Sequence, residues 1–365
     1  MRIAVTIFSL RPGGAERVAS TLVNGWASAG DDITVVTFEP PASDFYRIDP
    51  AVRRVALETE SRSKNWRDYL GNNMRRVGLL RKAIRSSKAE VVLSLGDKTN
   101  VLTLLATIGC RVPVIVAEHN DPRRHRIGAA ATALRRALYP RARMVVVLTP
   151  GIASWAERVV RPGSVRVIPN PVDTQFTKDR GIAEKSARPT VVAIGRLVPQ
   201  KGIDLLLPAF AQCVRQRPEW RLQIYGEGSE RENLRAIAKD LNILSAVEFN
   251  PPTKEPERVL RQSQLFVLSS RYEGFPMALL EAMACSVPVV SFDCQSGPSE
   301  MISHGVNGIL VPPGDVSALA NAMSRLMGDG QLRRSLSSHA AQVTQRYGLS
   351  RVNAMWRELF AEIGS

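Results

Sequence analysis

Unbroken runs of Val, Ile and Leu, four to eight residues long, recur along this chain with helix-period stretches between them. A strand with one face in water alternates apolar and polar residues, whereas one apolar throughout must be covered on both faces. The covering structure is a parallel sheet with helices on either side, joined by right-handed crossovers. Met1–Phe8, Ile33–Phe38, Val91–Leu95, Val114–Ala117 and Met144–Leu148 read as such strands, and Gly14–Gly30 as the first helix. The series breaks at Ile168-Pro169-Asn170-Pro171-Val172-Asp173, and the polar stretch Lys178–Pro189 reads as a linker. It restarts with strands at Val191–Ile194, Arg221–Tyr225, Val247–Phe249, Leu265–Leu268, Val287–Phe292 and Gly308–Val311, followed by helices at Val316–Met327 and Leu332–Tyr347. The predicted class is α/β, with two doubly wound, Rossmann-like domains facing across a cleft that receives ligands at the carboxyl ends of the strands.

Charge is the second constraint. The 365 residues hold 49 Lys and Arg against 34 Asp and Glu, a net of +15. Residues 1–170 carry 27 basic and 14 acidic side chains, a net of +13; the remainder carries 22 and 20, a net of +2. The first half is therefore expected to face something anionic. Several classes drop out. No apolar run approaches the roughly 18–20 residues of a bilayer span, since Val101 to Ala117 is interrupted by Arg111 and Pro113. The first residues run directly into a strand, so no signal peptide is expected. Cys110, Cys213, Cys285 and Cys294 are far apart, without a CxxC pair, which argues against disulfides or structural zinc and for a reducing cytoplasm.

Three strand-end motifs carry candidate chemistry. Arg11-Pro12-Gly13-Gly14-Ala15-Glu16-Arg17 follows the first strand and opens a helix, which suits either a tight turn or an anion at a helix N-terminus. Gly195-Arg196-Leu197-Val198-Pro199-Gln200-Lys201-Gly202 offers two cations between glycines, suited to a diphosphate. A solvated basic loop is the alternative. Ser269 to Ala284 places Glu273 in a loop and Glu281 inside an apolar helix, where a carboxylate needs hydrogen-bond partners such as a ribose diol or a structural cation.

The Glu273-x7-Glu281 pair, the Gly-Arg-Leu-x3-Lys-Gly block, Asn170-Pro171-Val172-Asp173 and the Ser296 to Asp315 stretch together resemble a retaining, family 4 glycosyltransferase of the GT-B fold. The resemblance spans nearly the whole chain. It departs at Ser286, where the family usually has glycine, and at Asn250-Pro251-Pro252, where a glycine commonly follows the strand near the base. It implies an acceptor-binding domain over 1–168, a nucleotide-sugar domain over 169–344, and a helix over 345–365 packing back on the first domain. It also implies that Arg196 and Lys201 clamp the donor diphosphate, that Glu281 binds the ribose, and that Glu273 meets sugar hydroxyls with the amides of Gly274, Phe275 and Met277. Gly13 and Gly14 would line the opposite wall, and His119, in Ala117-Glu118-His119-Asn120, would stand near the reacting sugar. No Asp-x-Asp triplet occurs, so no metal and no other cofactor is expected besides the UDP-sugar donor, with retention of configuration.

Residues 64–88 read as an amphipathic helix, with Trp66, Leu70, Met74, Val77, Leu80 and Ile84 as its apolar stripe. Lys64, Arg67, Arg75, Arg81, Lys82 and Arg85 fall beside that stripe, and acidic i+4 partners are almost absent. A second basic cluster includes Arg123, Arg124, Arg135, Arg136, Arg141 and Arg143. A solvated face is the plain alternative. Within the family, the Gly13 to Arg17 opening, Asp44-Phe45-Tyr46-Arg47 and Glu118-His119 resemble bacterial GalNAc transferases acting on polyprenyl-diphosphate-linked oligosaccharides. That resemblance makes Arg67, Arg75, Lys82 and Arg85 candidate grips for the acceptor pyrophosphate, and the enzyme peripheral on the cytoplasmic face of an anionic inner membrane. No nucleic-acid motif is recognisable. The competing expectations are a basic nucleic-acid or polyanion binder, and a soluble glycosyltransferase with a small-molecule acceptor.

Overall fold

The structure, a computed structural model, describes residues 1–59, 66–125, 127–177 and 188–364, with 66–70 described by backbone alone. Most of the expected linker, residues 178–187, and Lys64 lie outside the described residues. The chain forms two compact units, Met1–Pro171 with Ser350–Ser365, and Val172–Leu349. The first unit thus runs a little past residue 168 and resumes at 350, because Val172 bridges to Gly348 and its amide donates to the Tyr347 carbonyl inside the second unit.

In chain order the first unit contains β1 (Arg2–Ile7), α1 (Gly14–Ser28), β2 (Asp32–Thr37), β3 (Arg53–Ala56), α2 (Trp66–Ser87) and β4 (Val91–Leu95). It continues with α3 (Asp97–Ala106), β5 (Val114–Ala117), α4 (Ala129–Leu138), β6 (Met144–Val147), α5 (Pro150–Ala156) and β7 (Val165–Val167). All seven strands are parallel, in the order β3-β2-β1-β4-β5-β6-β7. The order reverses between β1 and β4, so the loops after these strands diverge and leave a crevice at their carboxyl ends. Ile3 pairs with Ile33 on one side and Val91 on the other, and both neighbours are buried, as the apolar runs require. A helix from the far end of the sequence, Leu349–Gly364, closes this unit. Its Trp356 and Phe360 rings stack edge-on against the buried Trp26, at 5.9 and 5.3 Å between centroids, and Arg357 pairs with Asp31.

The second unit contains α6 (Thr174–Thr177), β8 (Thr190–Ile194), α7 (Ile203–Val214), β9 (Arg221–Tyr225), α8 (Arg231–Asp240), β10 (Val247–Asn250), α9 (Pro256–Gln262) and β11 (Leu265–Leu268). It ends with α10 (Met277–Ala284), β12 (Val289–Phe292), α11 (Pro298–Met301), β13 (Ile309–Val311), α12 (Val316–Gly328), α13 (Gly330–Ala340) and α14 (Val343–Tyr347). Its parallel sheet runs β10-β9-β8-β11-β12-β13 and reverses between β8 and β11.

Two local signals refine the expected boundaries. The helix expected over 332–347 is two helices: the Thr344 hydroxyl and amide both bond the Ala341 carbonyl, and this i to i+3 closure breaks the regular ladder. The strand expected from Val287 begins at Val289 because Val287 and Ser286 complete a Schellman turn, their amides bonding the carbonyls of Ala282 and Met283. Ser286 takes the left-handed position of that turn, with φ +55°. That is why glycine suits this position.

Of the expected α2 stripe, Leu80 and Ile84 are buried and Val77 half-buried, but Met74 is 70% exposed; the side chains of Trp66 and Leu70 lie outside the described residues. All four cysteines are free, and burial pushes the thiols of Cys285 and Cys294 up to about 12, so they stay protonated and inert.

Candidate active site

In the second unit, the two loops that diverge at the strand-order reversal carry most of the singled-out residues. The loop after β8 runs from Gly195 to Gly202; the loop after β11 runs from Ser269 to Pro276. They are bonded to one another throughout. Lys201 Nζ lies 2.6 Å from Glu273 Oε1, and the Ser270 hydroxyl donates to the same oxygen at 2.6 Å. The Ser269 hydroxyl donates to the Lys201 carbonyl, and the Gln200 side-chain amide donates to the Tyr272 carbonyl, each at 3.0 Å. Arg271 anchors the far side. Its guanidinium donates to both Asp204 carboxylate oxygens at 2.8 and 2.6 Å and to the Pro199 carbonyl at 2.6 Å.

Glycine is obligatory at one point of this clasp. Gly202 has φ +61°, and a Cβ there would sit 2.0 Å from the Ser269 carbonyl oxygen. The approach that bonds the loops together requires a residue with no side chain.

Glu273 is buried to 6% exposure, and Lys201, whose stem packs on Gly195, supplies its counter-charge. Lys201 is already engaged by a carboxylate, while Arg196 is exposed, with no ion pair among the described residues. Phe275 and Met277 are buried beside Glu273, and the Phe275 ring meets Tyr347 edge-on at 5.2 Å. Gly274 and Phe275 lead through Pro276 into α10, whose first amides lack helical acceptors and favour an anion or hydroxyl oxygen. Glu281, 2% exposed, lies on the same helix. Sequence reasoning missed Ser270, Arg271 and Asp204; only the closeness of Asp204 to Lys201 in sequence hints at the fork.

In the first unit, Gly13 and Gly14 stand where β1 hands over to α1. The Tyr46 hydroxyl donates to the Gly13 carbonyl at 3.0 Å and accepts from its amide at 3.2 Å, and the Arg17 guanidinium covers the Tyr46 ring. A Cβ on Gly13 would come within 2.0 Å of a Glu16 carboxylate oxygen, so that carboxylate lies over the bare glycine at the helix N-terminus. His119 follows β5. As a residue it is half-buried, yet both its ring nitrogens are shut off from solvent without a hydrogen-bond partner among the described residues. Burial pulls its pKa down to about 4, which keeps the imidazole neutral.

Of the basic helix, Arg75, Lys82 and Arg85 are exposed and have no ion pair among the described residues; the side chain of Arg67 lies outside them. Arg76 and Arg81 are structural instead, donating to the carbonyls of Thr59 and Ile108. Arg135 also leaves the expected basic surface. It is 4% exposed, with its guanidinium over the Trp155 ring at 4.9 Å and 3.8 Å from Glu118.

Comparison with known proteins gives a consistent picture. Residues 12–176 match the Glycosyltransferase Family 4 domain and residues 175–343 match Glycosyl transferases group 1. Over 289 residues the chain is 33% identical to the exopolysaccharide phosphotransferase SCO2592 of Streptomyces coelicolor, covering 78% of this chain but spanning only 30% of that relative. It is 27% identical, over 100% of this chain and 99% of the other, to a Campylobacter jejuni enzyme named as an alpha-1,4-N-acetyl-D-galactosaminyltransferase acting on a GalNAc-containing, diNAcBac-PP-undecaprenol glycan. Among solved structures, sucrose-phosphate synthase from Thermosynechococcus elongatus shares the fold with a TM-score of 0.83 at 20% identity, covering 99% and 98% of the two chains. Anabaena HepE, solved in complex with UDP and glucose, gives 0.80 at 22% identity, covering 99% of each. The fold is that of the GT-B enzymes, with two Rossmann-like parallel sheets.

Proposed function

The chain belongs to the group 1 and family 4 glycosyltransferases, and from that premise we propose that it moves a hexose or N-acetylhexosamine, GalNAc favoured, from a UDP-sugar to a polyprenyl-diphosphate-linked oligosaccharide. The observation that carries this reading is the Lys201–Glu273 pair, held at the sheet's reversal point next to the exposed Arg196. A nucleoside diphosphate leaves as an anion, and preorganised cations stabilise the charge that develops on it. Lys201 and Arg196 supply that charge without a divalent ion. When the donor enters, its diphosphate takes over Lys201, and sugar hydroxyls take over Glu273 as donors to its carboxylate. The α10 amides near Gly274, Phe275 and Met277 bind further oxygens, Glu281 binds the ribose hydroxyls, and the neutral His119 serves the reacting sugar.

The transfer retains configuration. The bond between the anomeric carbon and the β-phosphate oxygen breaks, the acceptor oxygen bonds the same face of that carbon, and the acceptor proton passes to the departing phosphate oxygen. Glu273 binds in this scheme and is not a covalent nucleophile. Arg75, Lys82 and Arg85, with Arg67, grip the acceptor pyrophosphate. Among the described residues no helix is long and apolar enough to cross a membrane; the unpaired cations of α2 support peripheral attachment to the anionic cytoplasmic face of the inner membrane. The deciding experiment incubates the chain, with and without a chelator, with UDP- and GDP-sugars and polyprenyl-diphosphate oligosaccharides, and reads products by mass spectrometry and the new anomeric proton by NMR. Transfer from a UDP-sugar that survives chelation supports the proposal. Absence of transfer and of UDP binding overturns it.

A further inference from the structure

A buried ionisable cluster at the end of β5 takes no part in this mechanism. Glu118 is 1% exposed, Tyr139 and Asn100 are 0% and Arg135 is 4%. The Tyr139 hydroxyl donates to Glu118 Oε1, and the Asn100 amide donates at 3.1 Å both to that hydroxyl and to the Ala117 carbonyl. The cluster therefore ties α3, the β5 terminus, α4 and the turn before β6 together through polar groups, beside the apolar core these elements share. Burying a carboxylate this deeply is expensive, and an apolar residue of similar volume would usually serve stability as well or better.

Successive residues at a strand end point to opposite faces. Glu118 faces the α3–α4 layer, while its neighbour His119 lines a small apolar cavity with Val18, Leu22, Val146, Leu148 and Trp356. The imidazole has no polar contact of its own among the described residues. Its placement is set by packing and by the backbone that Glu118 and Ala117 anchor. We propose that Glu118 is a positioning residue for His119: its carboxylate, clamped by Tyr139 and Arg135, fixes the strand end that presents the imidazole, and loses its grip when protonated.

The charged and titratable groups facing Glu118 are Tyr139, Arg135 from α4, Asp97 at the start of α3, and His125, which pairs with Asp97 at 3.2 Å. Burial is the largest influence and lifts the carboxyl to about 7, against the pull of Tyr139 and Arg135. The grip therefore changes near neutrality, a range in which His119 itself stays neutral. Reading this in activity rests on the glycosyl-transfer proposal, so the experiment includes a measurement that does not.

Transfer kinetics of the full chain from pH 5.5 to 9 are compared for the wild type, Glu118→Gln, Glu118→Asp and Tyr139→Phe, while the His119 ring protons are followed by NMR. Gln mimics the protonated acid. Glu118→Gln is expected to lose the acid limb of kcat and to hold a pH-independent rate about ten-fold low, as displaced catalytic groups do, with KM for the donor changed less than about two-fold. Asp should restore part of the rate. Tyr139→Phe removes a donor that stabilises the carboxylate, so its acid limb should move to higher pH. The wild-type His119 signals should step near pH 7 without the ring protonating, and that step should vanish in Glu118→Gln. An acid limb unchanged in Glu118→Gln or Tyr139→Phe, or no step at His119, overturns the inference. A chain that transfers no sugar refutes the glycosyl-transfer reading and leaves the His119 step to decide this one.

Discussion

Lys201 and Glu273 are 72 residues apart in sequence and 2.6 Å apart in space, bridging the loops that follow β8 and β11. In the proposed transfer the donor diphosphate competes with this carboxylate for one ammonium group, and the pair is then a threshold that the donor must displace.

Glu273→Gln should therefore separate binding from turnover. With its internal competitor neutral, Lys201 is freed, and UDP alone is expected to bind about three- to ten-fold more tightly by calorimetry, on the scale of one charge contact. Transfer should fall about 100-fold, since the donor sugar loses a charged acceptor for its hydroxyls. Weaker UDP binding in this variant would contradict the competition.

The fork between Arg271 and Asp204 holds the same loops from outside. Both side chains are more than a third exposed, so the pair itself is worth only about 0.5–1 kcal/mol after solvent screening. Its contribution to geometry is larger. Arg271→Lys cannot reach both Asp204 oxygens and the Pro199 carbonyl together, and the expected result is a raised donor KM with a much smaller change in melting temperature. A double-mutant cycle with Asp204→Asn should return that small coupling, shrinking in high salt.

Acid and base titration act on stability in opposite directions at residues 118 and 119. The Glu118 carboxyl is lifted from 4.5 to about 7, so its contribution is complete below pH 4.5 and is lost as pH rises to 7. The His119 imidazole is pulled from 6.5 down to about 4, so its contribution is complete above 6.5 and is lost as pH falls to 4. Each is worth about 3 kcal/mol by linkage, and in the wild type they largely cancel between pH 4.5 and 6.5. Denaturant melts should show Glu118→Gln gaining stability with pH across that interval and His119→Gln losing it. Parallel curves for the two variants would refute the opposition.

Ser286→Gly should stabilise the second unit. A left-handed residue with a Cβ costs about 1–2 kcal/mol, partly offset by the chain entropy that glycine adds to the unfolded state. The expected gain is about 0.5–1 kcal/mol in chemical denaturation, without a change in transfer rate.

Most central strands are readable because each is sandwiched between two others and two helix layers, leaving mainly apolar residues in sequence; β9, Arg221–Tyr225, alternates instead. The two edge strands of the first sheet are not readable, whereas those of the second, β10 and β13, are. Arg53-Arg54-Val55-Ala56 and Val165-Arg166-Val167 pair on one side only, and their arginines interrupt the apolar run that marks a central strand. Site residues divide in the same way. Arg196, Lys201, Glu273 and Glu281 stand out because charge at a strand end or inside an apolar helix is unusual. The partners that hold Glu273 and the clasp are ordinary polar residues: Ser270 acts within its own loop, three positions from Glu273, and the Asp204–Arg271 fork has meaning only across 67 positions. Arg135 misleads for the converse reason: an arginine in a basic run looks solvated until the fold places Trp155 and Glu118 against it.

The helix that covers Trp26 has a bearing on biogenesis. Residues 349–364 leave the ribosome only after the entire second unit, so the first unit to be synthesised is the second to be completed, with an aromatic socket open to solvent in the meantime. A nascent chain of this design needs shelter from chaperones for longer than its order of synthesis suggests. A fragment cut at residue 171 should aggregate unless a peptide of 349–364 is supplied in trans.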